Sequence, residues 1–354
     1  PDAGTLVNTT QNYVNAYDGS TTAFAAPNDL SSLMKTYYDT ELLENARPNL
    51  IHAQFARKQP LPKGRGKKVE WRKFNTLADA SALTEGVIPT GQKFGQSSMT
   101  ASILQYGTYL TVSDQLELHA IDNVILSATE ELGASAGTTQ DKLVRDTLAA
   151  GTTVQYCDKV SAAGAHTAAE TRAGMDTTSK LTPTEVNKAV TTLKKLNAPT
   201  INGKYVAIIH PSVSYDLREN KEWIEAHKYA AVTPLFTGEI GELHGVRFIE
   251  TTEAKIWNNN TCPVKTAAGS GGTPAATYYS VYSTLFLGKD AFGMIDPEGG
   301  GLEMIVKSKE QAGGPLNQFS TLGYKFSTAT KILYQDRMVR VESLSEYSGT
   351  DEAN

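Results

Sequence analysis

The sequence predicts an α+β protein whose parts follow one another in a simple order. A segment without its own core comes first, then a basic extended hairpin, a long helix and an α/β domain. Three observations support this prediction. Residues 56–74 hold eight basic residues and one acid in an extended pattern. Residues 114–150 carry apolar residues at helical spacing, and the second half of the chain alternates helical and strand patterns.

Composition limits the class of protein. A chain of 354 residues exceeds what one hydrophobic core usually serves, so two or three packed units are expected. A net charge of -5 argues against a surface devoted to nucleic acid. No apolar run approaches the length of a membrane span, and the first residues lack a signal-peptide pattern. Cys157 and Cys262 lie far apart, which favours a reducing cytoplasm and no disulfide.

The first part of the chain lacks the periodicity of a folded domain. Residues 1–36 are rich in Asn, Thr, Ala, Ser and Gly, so we interpret them as an arm without a core. A disordered tail remains the alternative. Residues 37–55 predict a short helix, which ends at Arg47 because proline follows, and then a second apolar stretch.

The basic segment is predicted to form one arm of a long hairpin. Prolines and glycines exclude a helix from its first half, and Val69 and Trp71 then alternate with polar residues as in a strand. A return strand is expected from Met99 to Ser113. Arms of that length would reach about 50 Å, and such a ribbon is unstable alone in water, so it must lie on another surface.

Three interpretations of the basic arm remain open: contact with nucleic-acid phosphates, an ordinary solvated strand face, or docking on an acidic surface of another copy. We favour the third, because the sparse aromatic residues make a base-stacking platform weak. The residues predicted at this contact are Arg57, Lys58, Lys63, Arg65, Lys67, Lys68, Trp71 and Arg72.

The strongest helical pattern is expected to run from Asp122 to Leu148 and to end at Gly151. Gly133 and Gly137 lie one turn apart inside it, and each costs about 1 kcal/mol relative to alanine. Either another element packs closely there, or the helix bends. Its outer face is predicted to be acidic through Asp122, Glu130, Glu131, Asp141 and Asp146.

The second half predicts alternating elements. Thr182 and Glu185 form a capping-box pattern, with proline at the first helical position. Residues 158–180 and 263–277 are expected to be loops. Predicted helices cover 185–196, 212–218 and 223–229; predicted strands cover 205–209, 246–250, 279–287, 302–307, 319–333 and 338–342.

Patterns for catalysis are weak. Ser135 lies in a Gly-x-Ser-x-Gly sequence, but that motif needs a strand-to-helix turn and here falls inside the predicted helix, so we interpret it as a coincidence. His210, His227 and His244 have no metal-ligand spacing, and His210 is expected to be structural at a strand end. We interpret residues 298–301 as a tight turn. Asp296 and Glu298 are not expected to bind a cation.

The chain resembles the major capsid proteins of tailed bacteriophages, whose fold is shared with encapsulins and the herpesvirus capsid floor. The resemblance runs from about Tyr37 to Glu342 and rests on the order of parts and on long phrases. Among them are YYDTELLENARPNLIHAQFARKQPLPKGRGKKVEWRKF, LTEGVIPTGQ, YGTYLTVSD, YVAIIHPSVSYDLR, WIEAHKYA, FTGEIGELHGVRFIETTEA and LGKDAFGMIDPEGGGLEMIVK.

The resemblance implies a layout of five parts. These are an N-terminal arm (1–55), an extended loop (56–112), a spine helix with peripheral domain (113–181), an axial domain (182–314), and return strands with a C-terminal tail (315–354). The loop would reach over the adjacent subunit. The regions 158–180 and 258–277 are interpreted as insertions without an assigned role.

The resemblance also implies a function. Hexamers and pentamers would form an icosahedral virion shell around double-stranded DNA, touched non-specifically, and would assemble in the bacterial host cytoplasm. No catalytic residue, metal or cofactor is implied, and no membrane. A separate scaffolding protein, a portal and a decoration protein would be partners. The rival hypotheses are an encapsulin-like compartment, a serine hydrolase using Ser135 and a free nucleic-acid-binding protein.

Overall fold

The computed structural model describes residues 51–354 except 65, 75–76, 81, 84, 87, 89–90, 120–123, 229–238, 267–276, 299 and 308–317. The predicted arm before residue 51 lies outside the described residues, as do Arg65 and Asp122. The helices of the described part are α1 (Asp114–His119), α2 (Val124–Ala149), α3 (Pro183–Lys195), α4 (Pro211–Glu219) and α5 (Lys221–Lys228).

Strands form two main sheets. The first half contributes β1 (Arg57–Leu61), β2 (Lys68–Phe74), β3 (Gln96–Ser102), β4 (Leu104–Ser113), β5 (Val154–Tyr156), β6 (Lys159–Val160) and β7 (His166–Thr167). The second half contributes β8 (Tyr205–Ile209), β9 (Glu239–Leu243), β10 (Val246–Glu250), β11 (Ile256–Trp257), β12 (Val264–Thr266), β13 (Thr277–Tyr278), β14 (Val281–Leu287), β15 (Phe292–Pro297), β16 (Glu303–Lys307), β17 (Phe319–Ile332) and β18 (Met338–Ser343).

The seven-stranded sheet is the centre of the α/β part. Its order is β5-β18-β14-β8-β10-β9, with β11 also paired to β14. Alternate residues of β8 point to opposite faces and all are buried, so both faces must be covered. Tyr205, Ala207 and Ile209 pack in one core with α3, α4 and α5, whereas Val206 and Ile208 pack in a second core with the end of α2.

The long helix α2 is confirmed, and it connects the two sheets. It has 26 residues, which makes it about 39 Å long. Leu132 and Ala136 pack on the five-stranded sheet, and Val144 and Leu148, two to three turns later, pack below the seven-stranded sheet. The helix ends at Ala149, shortly before the predicted glycine. In the part of the chain that the structure describes, neither this helix nor any other is sufficiently long and apolar to span a bilayer.

The predicted return strand is two strands. The first, β3, pairs with β2 over seven residues, and the second, β4, pairs with β17 over ten. The break falls at Ile103, whose backbone N–H donates to the Lys67 carbonyl. The paired stem is therefore about 24 Å long, half of the predicted reach. The return strand divides into β3 and β4 because Leu110 and Val112 of β4 pack against apolar side chains of α2.

The five-stranded sheet has the order β1-β15-β17-β16, with β4 also paired to β17. Its strand β1 runs parallel to β15, so the first basic residues already belong to this sheet. β17 lies in this sheet, but the next strand, β18, crosses to the seven-stranded sheet. The chain therefore passes between the two sheets after β17.

Most predicted elements of the second half are confirmed within a few residues. Thr182 caps α3 and accepts a hydrogen bond from the Glu185 backbone N–H. Glu185 does not complete the capping box: its buried side chain binds Gln155 and Lys188 instead. The predicted loop 158–180 contains the short hairpin β6–β7. The strands β5, β9, β11, β12 and β15 were not predicted, since most are too short for a periodic pattern.

Candidate functional site at the extended hairpin

The hairpin stem, formed by β2 and β3, has two different faces. Val69 and Trp71 are buried, whereas Lys68, Glu70 and Arg72 between and beside them are exposed. This period of two is that of a strand with one covered face. The covered face packs against Ile295, Ala329 and Leu333 of the same chain. The stem is therefore held by its own subunit.

Trp71 lies at the centre of this contact between the hairpin stem and its own subunit, and its burial corrects a prediction. Its side chain is 7 % exposed, so it is not an inter-subunit contact residue. A Cβ built on Gly293 would lie 3.3 Å from the indole ring, which leaves the ring almost no free space above β15. The alternation of Val69 and Trp71 was a correct sign of a strand; sequence alone could not tell which molecule covers its apolar face.

The predicted basic residues remain available to a partner. Arg57, Lys58, Lys63, Lys67 and Lys68 are exposed, and within the described part of the chain no carboxylate lies within ion-pair distance of them. Arg72 is exposed and lies 3.5 Å from Glu70, and Lys73 lies 3.6 Å from Asp336. Exposed pairs of this kind are weak. Among the described residues, the positive charge of the arm is largely uncompensated.

Beyond the stem, the segment between the two strands carries large apolar side chains in water. Ile88 is 92 % exposed and Leu83 is 76 % exposed. Phe74 and Phe94 stack at a ring-centroid distance of 4.9 Å and are both more than half exposed. We call Phe74, Leu77, Leu83, Ile88 and Phe94 the apolar tip residues. An exposed cluster of this kind marks an interaction surface.

The acidic face predicted on the long helix is wrong at Asp141. Asp141 is 2 % exposed and faces inward, where its carboxylate accepts from His52 Nδ1 at 2.6 Å and from the His52 backbone N–H at 2.8 Å. Asp146 is paired with Arg145 at 2.9 Å and with Lys255 at 3.2 Å. Glu131 is exposed as predicted. The side chain of Glu130 lies outside the described residues.

Asp141 instead fastens the segment that enters the hairpin. Its Oδ1 also accepts from the Ala53 backbone N–H at 3.3 Å. The short turn His52–Phe55 is thereby held on α2, with Ile51 and Phe55 buried in the core below it. A buried carboxylate is stabilised by several donors of this kind. The chain consequently leaves the core for the hairpin from a fixed point.

We expect Asp141→Asn to lower the free energy of unfolding by about 1–3 kcal/mol, because the amide keeps the shape but weakens charge-assisted hydrogen bonds. Urea denaturation of the purified subunit measures this. Glu131→Gln, at an exposed position of the same helix, is the matched control and should be nearly neutral. Equal stability of the two variants would contradict the role assigned to Asp141.

The two glycines of α2 lie within an uninterrupted helix. A Cβ added to Gly133 would meet no described atom within 4 Å, so close packing of another described element does not explain that glycine. The alternative, a bend of the helix, stays a prediction for Gly133 and Gly137.

The weak catalytic patterns have structural roles. Ser135 lies inside α2, where its Oγ is 3.3 Å from the hydroxyl of Tyr324, so the elbow geometry is absent. His210 is the N-cap of α4: its Nδ1 accepts from the Ser212 backbone N–H, and burial lowers the pKa of its imidazole. Cys157 and Cys262 are buried free thiols. Among the described residues, no cluster of His, Cys, Asp and Glu is arranged for a metal ion.

One buried charged cluster was missed by sequence reasoning. Glu342 on β18 is fully buried, and Arg172, from the predicted loop, donates to both of its carboxylate oxygens at 2.6 and 2.8 Å. Arg340 lies 2.9 Å from the same carboxylate, and the Arg172 guanidinium stacks 3.9 Å above Trp257. No short motif signals this cluster, since its members are up to 170 residues apart.

Comparison with known proteins identifies the family. The model of the phage capsid protein family matches residues 31–313, more than half of the chain. The chain therefore belongs to the phage capsid protein family. No curated protein matches it.

Solved capsids share the fold. The capsid of cyanophage P-SCSP1u has a TM-score of 0.59 and 16 % identity, covering 90 % of this chain and 95 % of that chain. The capsid of Ralstonia phage GP4 has a TM-score of 0.61 and 13 % identity, covering 95 % and 100 %. The acid-stable capsid of Helicobacter pylori bacteriophage KHP30 has a TM-score of 0.61 and 10 % identity, covering 90 % and 98 %.

These findings confirm the resemblance, the fold class and the general function predicted from the sequence. The protein is a structural protein of the phage virion, the major capsid protein that forms the shell. Its location is the virion capsid.

Proposed function

We propose that this chain assembles with copies of itself into hexamers and pentamers that close an icosahedral shell around the double-stranded DNA of a tailed phage. The observation that carries the proposal is the exposure of the apolar tip residues on a stem that is fixed to its own subunit. Large apolar side chains are stabilised when another surface covers them. The tip therefore requires a surface that the described residues do not provide, and we propose that a second copy provides it.

The position of the tip favours rings. We propose that the tip of each copy lies on a different surface of the next copy in a head-to-tail arrangement, which makes the contact heterologous. Heterologous contacts repeat around an axis and close when the rotation allows it. Permanent contacts of this type bury roughly 2,000–5,000 Å², which an extended hairpin can contribute.

We retain the five-part layout as part of this proposal. The arm covers 1–55, the extended loop 56–112, the spine helix and peripheral domain 113–181, the axial domain 182–314, and the return strands with the tail 315–354. The axial domain would face the ring centre, and the peripheral domain would face adjacent rings. A separate scaffolding protein, a portal and a decoration protein complete the proposed partners, with assembly in the bacterial host cytoplasm.

Ile88→Asp is expected to abolish or strongly impair shell formation while leaving subunit stability unchanged, because the side chain is almost fully exposed before assembly. A buried, unpaired carboxylate at the contact would be costly. Negative-stain electron microscopy beside size-exclusion chromatography measures assembly, with the wild-type particle as reference. Leu302→Asp introduces the same charge at another exposed apolar residue, outside residues 56–112, and should leave assembly intact. Normal shells from Ile88→Asp would show that the tip is not an assembly contact.

The glycine pair gives a second test of the shell. Double substitution of Gly133 and Gly137 by alanine should stiffen α2, since each alanine favours the helix by about 1 kcal/mol. We expect slower expansion of the shell during maturation, measured by time-resolved light scattering. Ala134→Gly, an opposite change at the neighbouring position, should not slow expansion. An unchanged rate of shell expansion in the double variant would contradict the proposed bend of α2.

A further inference from the structure

The carboxyl-terminal end of α2 is held by an arginine from a distant strand. The last carbonyl groups of a helix have no partner inside the helix, and α2 has no basic residue in its own last turn. Arg340 of β18 supplies a donor: its Nη1 donates to the Ala149 carbonyl and, at 3.1 Å, to the Gly151 carbonyl. A cation at this end also complements the helix dipole. The position of the helix end therefore depends on how Arg340 is held.

Arg340 is held by Glu342, which lies two residues later and therefore on the same face of β18. Nε of Arg340 lies 2.9 Å from Oε1 of Glu342, and both residues are buried. Burial lowers the pKa of Arg340, whereas the Glu342 carboxylate favours its charged form. The carboxylate therefore compensates the charge of the donor that binds the helix end.

The same carboxylate also holds the segment 158–180. Arg172 donates from Nη2 to Oε1 of Glu342 at 2.8 Å and from Nε to Oε2 at 2.6 Å. Oε1 is thus shared between the two arginines. The backbone of Arg172 is fixed in a short 3₁₀ turn, where the Thr171 side chain accepts from the Gly174 N–H. A movement of either arginine consequently changes the contact that the carboxylate makes with the other.

Trp257 restricts both guanidinium groups further. The Arg172 guanidinium lies 3.9 Å from the centre of the Trp257 ring, and the Arg340 guanidinium lies 5.3 Å from it. Trp257 belongs to β11, which pairs with β14 of the seven-stranded sheet. The two arginines therefore share one carboxylate and one aromatic ring on a rigid support. A lysine in place of either would lose the planar set of donors and the stacking.

We propose that Arg340, Glu342 and Arg172 couple the end of α2 to the segment 158–180, so that the two open as one cooperative unit. Among the described residues, no hydrogen bond or ion pair joins this segment directly to α2, so we assign the coupling to the shared carboxylate. Local opening in proteins occurs in cooperative units of this size. Residues 161–168 are exposed, and coupling is reciprocal, so whatever fixes this surface also fixes the helix end. The inference concerns the folded subunit and does not depend on the proposed assembly.

Hydrogen exchange of the purified chain at single-residue resolution tests the coupling. Arg172→Lys keeps the charge but cannot donate to both carboxylate oxygens in one plane. We expect it to speed exchange of the Ala150 and Gly151 backbone N–H groups about tenfold, which corresponds to about 1.4 kcal/mol. These groups report the helix end, because they donate to the Asp146 and Leu148 carbonyls at 3.2 and 2.9 Å.

Arg340→Lys is the reciprocal variant. It should speed exchange of the Gly174 and Met175 backbone N–H groups by a similar factor, since these groups donate within the turn that contains Arg172. In the double variant, the increase at each site should be clearly smaller than the product of the two single increases, because both substitutions break the same connection. Increases that multiply would show two independent anchors and would overturn the proposal.

Two controls separate coupling from other effects. Lys180→Gln breaks an ion pair with the exposed Glu346 at the end of the same segment and should leave exchange at Ala150 unchanged. The Leu196 N–H donates to the Thr192 carbonyl at 3.1 Å and reports opening at the end of a different helix, α3. Its exchange rate should stay at the wild-type value in the lysine variants.

A stronger substitution completes the series. Arg172→Met keeps the aliphatic part of the side chain but removes every donor, so it should speed exchange at Ala150 more than Arg172→Lys does. Circular dichroism verifies that each variant is folded. Unchanged exchange at Ala150 in both variants would overturn the proposal. Equal increases at Ala150 and Leu196 would also overturn it, because they would report a general loss of stability instead of a coupled unit.

Discussion

Trp71→Ala is expected to lower the free energy of unfolding by about 3–5 kcal/mol, the cost of removing a large buried aromatic side chain. The indole fills the space over Gly293 and packs with Ile295 and Leu333, so its loss leaves a cavity between the hairpin stem and the five-stranded sheet. The stem should then detach more readily. We expect faster proteolysis within residues 62–102 and a loss of shell formation, because the tip is no longer presented from a fixed position.

Arg72→Ala is the matched control for this prediction. Arg72 is the next residue of β2, but it lies on the exposed face of the stem. Its substitution should change the free energy of unfolding by less than about 0.5 kcal/mol. Urea denaturation of the unassembled subunits compares the two variants. Similar small effects of both substitutions would mean that the stem is not seated on its own subunit through Trp71.

Arg172→Ala has an expected effect of similar size in a different part of the molecule. Removing one partner of a buried ion pair costs about 3–5 kcal/mol, because the remaining charge is left in the interior. Burial alone would lower the pKa of Arg172, but its hydrogen bonds to Glu342 and the charge of that carboxylate outweigh burial and raise its pKa. In the variant, Arg340 remains beside Glu342. The segment around residues 158–180 should lose its attachment to the sheet.

Arg218→Ala controls for the loss of an arginine. Arg218 is half exposed and lies 3.6 Å from Glu250, so its removal should cost less than about 1 kcal/mol. Hydrogen exchange adds a local measurement: faster exchange in residues 158–180 is expected for Arg172→Ala and not for Arg218→Ala. A destabilisation no larger than that of Arg218→Ala would contradict the role of Arg172. The cluster thus gives the predicted insertion a structural role in anchoring itself to β18.

Local patterns were sufficient where the residues of one short segment indicate how that segment is buried or capped. The apolar spacing of α2, the continuous apolar run of β8 and the Thr182 cap each depend on residues close in sequence. The resemblance of long sequence segments to phage capsid proteins was sufficient to predict the family and the fold. The same local patterns failed at Asp141, which is polar but buried, because its partner His52 is 89 residues away.

The sequence by itself determined the order of parts, the long helix, the buried strands, the basic character of the hairpin and the membership in the phage capsid family. Tertiary structure alone decided that Trp71 packs within its own chain, that Asp141 holds the entry to the hairpin, and that Glu342 joins a predicted loop to the central sheet. The physical reason is that periodicity reports only which face of an element avoids water. The surface that covers that face, and the donors that satisfy a buried charge, come from residues distant along the chain.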